Sequence, residues 1–157
     1  KGDDLKQTVE TSVDLSINAY IENEFIKDES QKIEIYKKIA AIKDKNDMYD
    51  VEEEIEDRFG TIPETLMNLL EIAYIKSLAQ SQGIDGITQR EDLIYINFVS
   101  NASLNLDSIK LLIDRFGKYI SFNASRSPYF TVKVSGMPGS DILKLLEEIM
   151  EALHEKE

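Results

Sequence analysis

The stretch IDGITQREDLIYINFV, residues 84–99, decides the fold class. Two runs rich in β-branched and aromatic residues, Ile84 to Arg90 and Leu93 to Val99, flank the polar pair Glu91-Asp92. That pattern is a hairpin, and a two-residue connection joins antiparallel strands, not parallel ones. The arrangement recurs downstream. Leu106 to Phe116 has helical spacing and stops at Gly117. Tyr119 to Ala124 and Tyr129 to Ser135 then pair around Ser125-Arg126-Ser127-Pro128. After the turn Gly136-Met137-Pro138-Gly139, Ser140 is expected to cap a last helix with Ile142, Leu145, Leu146, Ile149 and Leu153 facing inward. The second half therefore reads ββαββα, with hairpins instead of βαβ crossovers, and the class is α+β.

Upstream the period changes. Thr61-Ile62-Pro63-Glu64 opens a helix, with Thr and Glu at capping-box spacing and Pro in the first turn. It runs to about Ser81, where Gly83 ends it. Leu66, Met67, Leu69, Leu70, Ile72, Ala73, Tyr74, Ile75 and Leu78 leave it little polar face, so it is expected to be covered on most sides. Before it, Asp47 is expected to open a helix with Met48, Val51, Ile55 and Phe59 on one stripe and Gly60 as the stop. Asp28 with Gln31 resembles a capping box opening a first helix, whose inward positions are Ile35, Ile39 and Ile42. Val13, Leu15, Ile17, Ala19 and Ile21 alternate with polar residues, the period of a half-buried strand. Residues 1–12 read as a polar linker or frayed end, and 13–157 as one domain: a strand, three helices, then the ββαββα half. The tetrapeptide Asp57-Arg58-Phe59-Gly60 recurs as Asp114-Arg115-Phe116-Gly117. The flanks differ, so the two are convergent helix endings and not a repeat.

Composition excludes several classes of function. With 157 residues the chain can bury roughly 70% of its unfolded surface without staples. It has no Cys, which rules out disulfides and thiolate metal sites and suits a reducing cytoplasm. No apolar run approaches a membrane span, and the stretch Lys1 to Glu10 is polar, without the apolar core of a signal peptide. The first residue is Lys1, so the sequence is expected to be part of a longer one. The net charge of −12, with Arg58, Arg90, Arg115 and Arg126 well separated, argues against a nucleic-acid face. It favours solubility or a basic protein partner.

Catalytic chemistry finds no support either. His154 is the single histidine, in the last turn of the last helix, where a cation suits the dipole. It has no partners for a triad or a zinc site. No glycine-rich phosphate cradle occurs, and neither Ser127 nor Ser140 sits in a nucleophile elbow. No catalytic residue, cofactor or metal is expected.

One cluster is unusual. The helix ending at Phe59 carries Glu52, Glu53, Glu54, Glu56 and Asp57 toward its C-terminus, where the dipole disfavours negative charge. Asp50, Glu54 and Asp57 lie at i, i+4 and i+7, one stripe turned away from Val51 and Ile55. Arg58 is the single cation expected to offset them. The stripe is either a solvated outer face or a docking surface for Arg or Lys of a partner.

A resemblance bears on that choice. Val13-Asp14-Leu15, Asn18-Ala19-Tyr20-Ile21, Phe25-Ile26 and Tyr36-Lys37-Lys38-Ile39-Ala40, followed by Glu54-Ile55-Glu56-Asp57-Arg58-Phe59-Gly60-Thr61-Ile62-Pro63, resemble the C-terminal domain of bacterial transcription-repair coupling factor (Mfd). Leu69-Leu70, Ala73, Lys76, Ala79 and Gly83-Ile84 continue the match, which is loose beyond residue 85. Glu22 departs from the pattern, which has Pro there. The resemblance implies a non-catalytic, autoinhibitory domain of a DNA-tracking ATPase in transcription-coupled nucleotide excision repair. Such a domain clamps the UvrB-like N-terminal module of the parent and masks its UvrA-binding surface until RNA polymerase is engaged. It implies that Glu54 and Asp57 pair with basic residues of that module, with no direct contact to nucleic acid or membrane, and helical spacing adds Asp50 to the same candidate partner-binding stripe. The alternative is a stand-alone regulatory module with a small molecule bound at the sheet or hairpin ends.

Overall fold

The computed structural model describes residues 9–155 apart from 101 and 103. Ten elements follow in the order β1 (Ser12–Asp14), α1 (Glu29–Ala40), α2 (Lys45–Phe59), α3 (Glu64–Ser81), β2 (Ile84–Arg90), β3 (Leu93–Phe98), α4 (Leu106–Phe116), β4 (Ile120–Asn123), β5 (Tyr129–Lys133) and α5 (Gly139–Glu155). The expected strand, three helices and ββαββα half are all present. Contacts divide the chain into two compact units, one formed by the chain up to Ser16 with the chain from Leu78 onward, the other by Ile17–Ser77. Of the segment expected as linker, residues 1–8 lie outside the described residues. Thr11 is already buried and donates its hydroxyl to the Ile84 carbonyl, 2.5 Å away.

The first unit is built on a five-stranded sheet, ordered β1-β2-β3-β5-β4. Every pairing is antiparallel except β1 with β2, which is parallel. Period-2 alternation puts Ile87, Ile96, Phe130 and Phe122 in one cross-strand row and Ile94, Val132 and Ile120 in the next. These side chains form the core face, and all but the partly covered Phe122 are buried. The opposite row, Thr88, Tyr95, Thr131 and Ser121, is polar and partly open. The β2–β3 turn holds Glu91 at φ +57°, the positive φ that tight hairpins require at a central position. Helix α4 lies against β4 and α5. On α5, Ile142, Leu146, Ile149 and Leu153 are buried as expected, Leu143 and Met150 are fully buried besides them, and Leu145 is only partly covered.

In the second unit, α1 and α2 pack together. Ile35, Ile39, Ile42, Met48 and Ile55 are buried, as their spacing predicts. The first part of α3 adds Leu66, Leu70, Tyr74 and Ile75 to this core, and none of its apolar side chains is exposed.

Three expectations about chain path are corrected. The alternation in residues 13–21 does not make a long strand, because only Ser12–Asp14 joins a ladder. The burial nonetheless alternates through Tyr20. Beyond Asp14 the extended backbone is satisfied by other partners: Ser16 N–H by Gln89, the Asn18 carbonyl by Asn68, Tyr20 N–H by the Thr65 carbonyl and Ile21 N–H by the Tyr36 hydroxyl. Helix α2 begins before Asp47, because the Asp44 carboxylate caps it by accepting from Asp47 N–H while Asp47 reaches back to Lys43 N–H. Helix α3 closes its first turn on the Pro63 carbonyl, and α5 on the Pro138 carbonyl, so Ser140 lies inside the helix it was expected to cap. Glu22 turns the chain in place of a Pro: its carbonyl accepts from Phe25 and Ile26, and its carboxylate from the Thr65 hydroxyl.

Candidate protein-docking site

The two Asp-Arg-Phe-Gly endings bring the same residues to different surroundings. Gly60 ends α2 at φ +103°, where a side chain would be strained. Gly117 is right-handed at φ −58°, and there a Cβ would come within 2.4 Å of the Ile113 carbonyl oxygen. Arg58 packs over the Phe59 ring, 5.0 Å from its centroid, and Phe59 meets Phe25 at 6.1 Å. From that position the Arg58 guanidinium reaches two carboxylates, Glu54 at 2.9 Å and Glu34 at 3.0 Å.

Lys38 of α1 completes a four-residue chain. Its ammonium lies 3.1 Å from Glu54 and 3.9 Å from Glu34. Arg58 is therefore not the single cation offsetting the acidic helix. Lys38 precedes Glu54 by 16 residues, and only the packing of α1 against α2 brings it close. Both acids titrate below the usual carboxylate range, Glu34 mainly through its hydrogen bond from Arg58 and Glu54 mainly through that from Lys38. Arg58 is held protonated more firmly, chiefly by Glu34. Because these carboxylates have depressed folded values, their contribution is present above the unfolded pKa and is lost as pH falls through the folded one.

Of the three stripe residues, Asp50 and Glu54 line one open cleft of about 280 Å³ between α1 and α2, together with Lys38, Ala41, Ile42, Asp47 and Val51. Asp57 lies beyond that cleft and is exposed, as is Asp50. The ion-pair chain leaves Asp57 out. The stripe is thus two exposed carboxylates flanking one that is already paired.

Glu52 behaves oppositely. Burial, and then the charge of Glu56 one turn on, push its carboxyl up. Its raised folded value means that ionisation weakens the fold as pH rises through it. Glu52→Gln is expected to stabilise the protein at pH 7 by about 0.2–0.5 kcal/mol, the scale of one repulsive i,i+4 pair. The gain should vanish near pH 3.5. Melting temperatures of the two proteins at both pH values check this, and a lower value for the variant at pH 7 would contradict it.

Among the described residues no group of three or more His, Cys, Asp or Glu could hold a metal ion, and no helix is long and apolar enough to cross a membrane. His154 is exposed on the last turn of α5. A second open groove, of about 560 Å³, lies in the first unit. Phe116, Tyr119, Met137 and Leu145 line it, with Arg115, Lys144, Asp141 and Glu148 around them.

A family model, the TRCF domain, matches residues 15–109. The chain belongs to the TRCF domain family. Among curated relatives, the transcription-repair-coupling factor of Bacillus subtilis (strain 168) is 34% identical over 126 residues, covering 76% of this chain. That of Staphylococcus aureus (strain USA300) is 37% identical over 98 residues, covering 62%. This TRCF domain spans about a tenth of the length of these relatives, 10% and 8% respectively. A crystal structure described as the C-terminal domain of transcription-repair coupling factor superposes with a TM-score of 0.83 at 27% identity. It covers 98% of this chain and 99% of its own. The likeness legible in the sequence to residue 85 therefore continues as fold through the ββαββα half of the TRCF domain.

Proposed function

We propose that this TRCF domain is a non-catalytic autoinhibitory domain of a cytoplasmic transcription-repair coupling ATPase. It clamps the UvrB-like N-terminal module of its parent and hides the surface that UvrA would bind until the parent engages RNA polymerase. Asp50, Glu54 and Asp57 supply the charged part of the clamp. The observation that carries this reading is the acidic face of α2. Its carboxylates gather toward a helix C-terminus, where the dipole opposes them. Lys38 and Arg58 hold Glu54 in place between the exposed Asp50 and Asp57. A solvated face does not need that positioning, whereas a docking face for Arg or Lys gains from it.

The test is calorimetric titration of the domain with the N-terminal module at two salt concentrations, since exposed pairs weaken with salt. Replacing Glu54 and Asp57 together by Ala should weaken binding by about 2–5 kcal/mol if the partner charge is desolvated, and by less than about 1 kcal/mol for a rim pair. Glu54→Ala also removes internal pairs. Asp57→Ala alone leaves the Glu34–Lys38–Glu54–Arg58 chain intact and isolates the intermolecular effect. In the full-length parent the double variant should bind more UvrA. Unchanged module affinity in a folded double variant would remove these residues from the clamp.

The groove beside Tyr119 favours a second reading, a small-molecule regulatory module. A ligand-induced rise in melting temperature that Leu145→Ala abolishes would support it.

A further inference from the structure

The far edge of the sheet is open. In the β4–β5 pair, Lys133 N–H donates to the Tyr119 carbonyl at 2.7 Å. The register then makes Ser121 with Thr131, and Asn123 with Tyr129, the hydrogen-bonded pairs. The intervening residues, Ile120 and Phe122, turn their N–H and C=O groups away from β5. The bonds on the other side of β5 agree, since Val134 N–H donates to the Asp92 carbonyl and Phe98 N–H to the Pro128 carbonyl. Among the described residues no hydrogen bond of the turns, loops or side chains takes up the backbone groups of Ile120 or Phe122. Such an edge is a template for another strand, and proteins normally guard it by keeping it very short or with a charge, a Pro or a bulge. β4 reads Ile120-Ser121-Phe122-Asn123, with no charge, no Pro and no register shift. The opposite edge, β1, is three residues long and carries Asp14.

Charge near this edge is reversed relative to the molecule. In a chain of net charge −12, residues 110–133 hold five bases, Lys110, Arg115, Lys118, Arg126 and Lys133, against one acid, Asp114. Lys118 precedes β4, Arg126 follows it, and Lys133 lies across from its Tyr119 end. All three are exposed. We propose that the β4 edge takes up an extended acidic segment of a partner protein as a sixth strand, with the backbone of Ile120 and Phe122 giving affinity and Lys118, Arg126 and Lys133 selecting acidic side chains. This surface lies in the first unit, shares no residue with the acidic face of α2, and does not depend on the autoinhibitory reading.

The probe is a short capped peptide of alternating Glu and Val, titrated into the whole chain by fluorescence anisotropy, with amide hydrogen exchange of the same samples. Saturable binding is expected, with slowed exchange at the Ile120 and Phe122 amides. The counterpart with Lys for Glu, and the Glu peptide with a central Pro, should bind more weakly. Lys118→Glu with Arg126→Glu, both exposed, should lower affinity on the order of fivefold while leaving the melting temperature unchanged. Any of these results would overturn the proposal: no binding of the acidic peptide, binding without protection at those two amides, equal binding of the Lys peptide, or tighter binding of a single-stranded oligonucleotide at the same salt. Protection of the same amides on concentrating the protein alone, with sedimentation as a dimer, would assign the edge to a second copy and likewise overturn it.

Discussion

Phe130→Ala is expected to destabilise the protein by about 3–5 kcal/mol, the cost of emptying the site of a fully buried aromatic. Phe130 is 0% exposed at the centre of the core face, between Ile96 on β3 and Phe122 on β4. Its ring centroid lies 4.9 Å from that of Phe122 and 5.8 Å from that of Phe98. Removing it takes away its own transfer free energy and strands two neighbouring rings beside a void. For a chain of this size the melting temperature should fall by roughly 10 °C. Urea unfolding measures the loss directly, and a value below about 1 kcal/mol would mean that the sheet closes over the gap. A double-mutant cycle with Phe122→Leu should show about 0.5–1.5 kcal/mol of coupling from the ring contact.

Leu70→Ala is expected to cost about 2–5 kcal/mol. Leu70 is 0% exposed on α3, one turn from the equally buried Leu66. The preceding turn holds the N-terminal segment through Asn68 to the Asn18 carbonyl and through the Thr65 carbonyl to Tyr20 N–H. A cavity at Leu70 therefore loosens the helix that anchors Asn18 and Tyr20. Native-state hydrogen exchange should place the α3 amides of the wild type among the last to exchange, and in the variant among those most accelerated. Early opening of α3 in the wild type would contradict its role in the core.

The element order was legible because its signals are local. Gly117 stops α4, Glu91-Asp92 separates two β-branched runs, and the stripe of α2 repeats at helical spacing. What stayed hidden is non-local. Alternation from Val13 to Ile21 reports an extended chain with one side covered, and that is what the burial shows. It cannot report whether the neighbour is a strand, and after Asp14 the partners are a glutamine, a tyrosine hydroxyl and a helix. Asp44 and Asp47 are both good caps, and spacing alone does not choose between them. The acidic stripe was visible as residues, but the cation from α1 that holds Glu54 was not. The basic window at 110–133 was present in the sequence all along. Counting Arg over the whole chain concealed it, and a sliding charge window would have found it.

The position of β1 has a consequence in time. Thr11 and its acceptor Ile84 are 73 residues apart, and the whole second unit is encoded between them. On a ribosome adding about 5–20 residues per second, β1 emerges roughly 4–15 s before β2 exists. The helical unit can form in that interval, since its contacts lie within Ile17–Ser77. The sheet can take up β1 only after β2 has followed, so the first of its strands to emerge waits for a partner until the whole helical unit has been made.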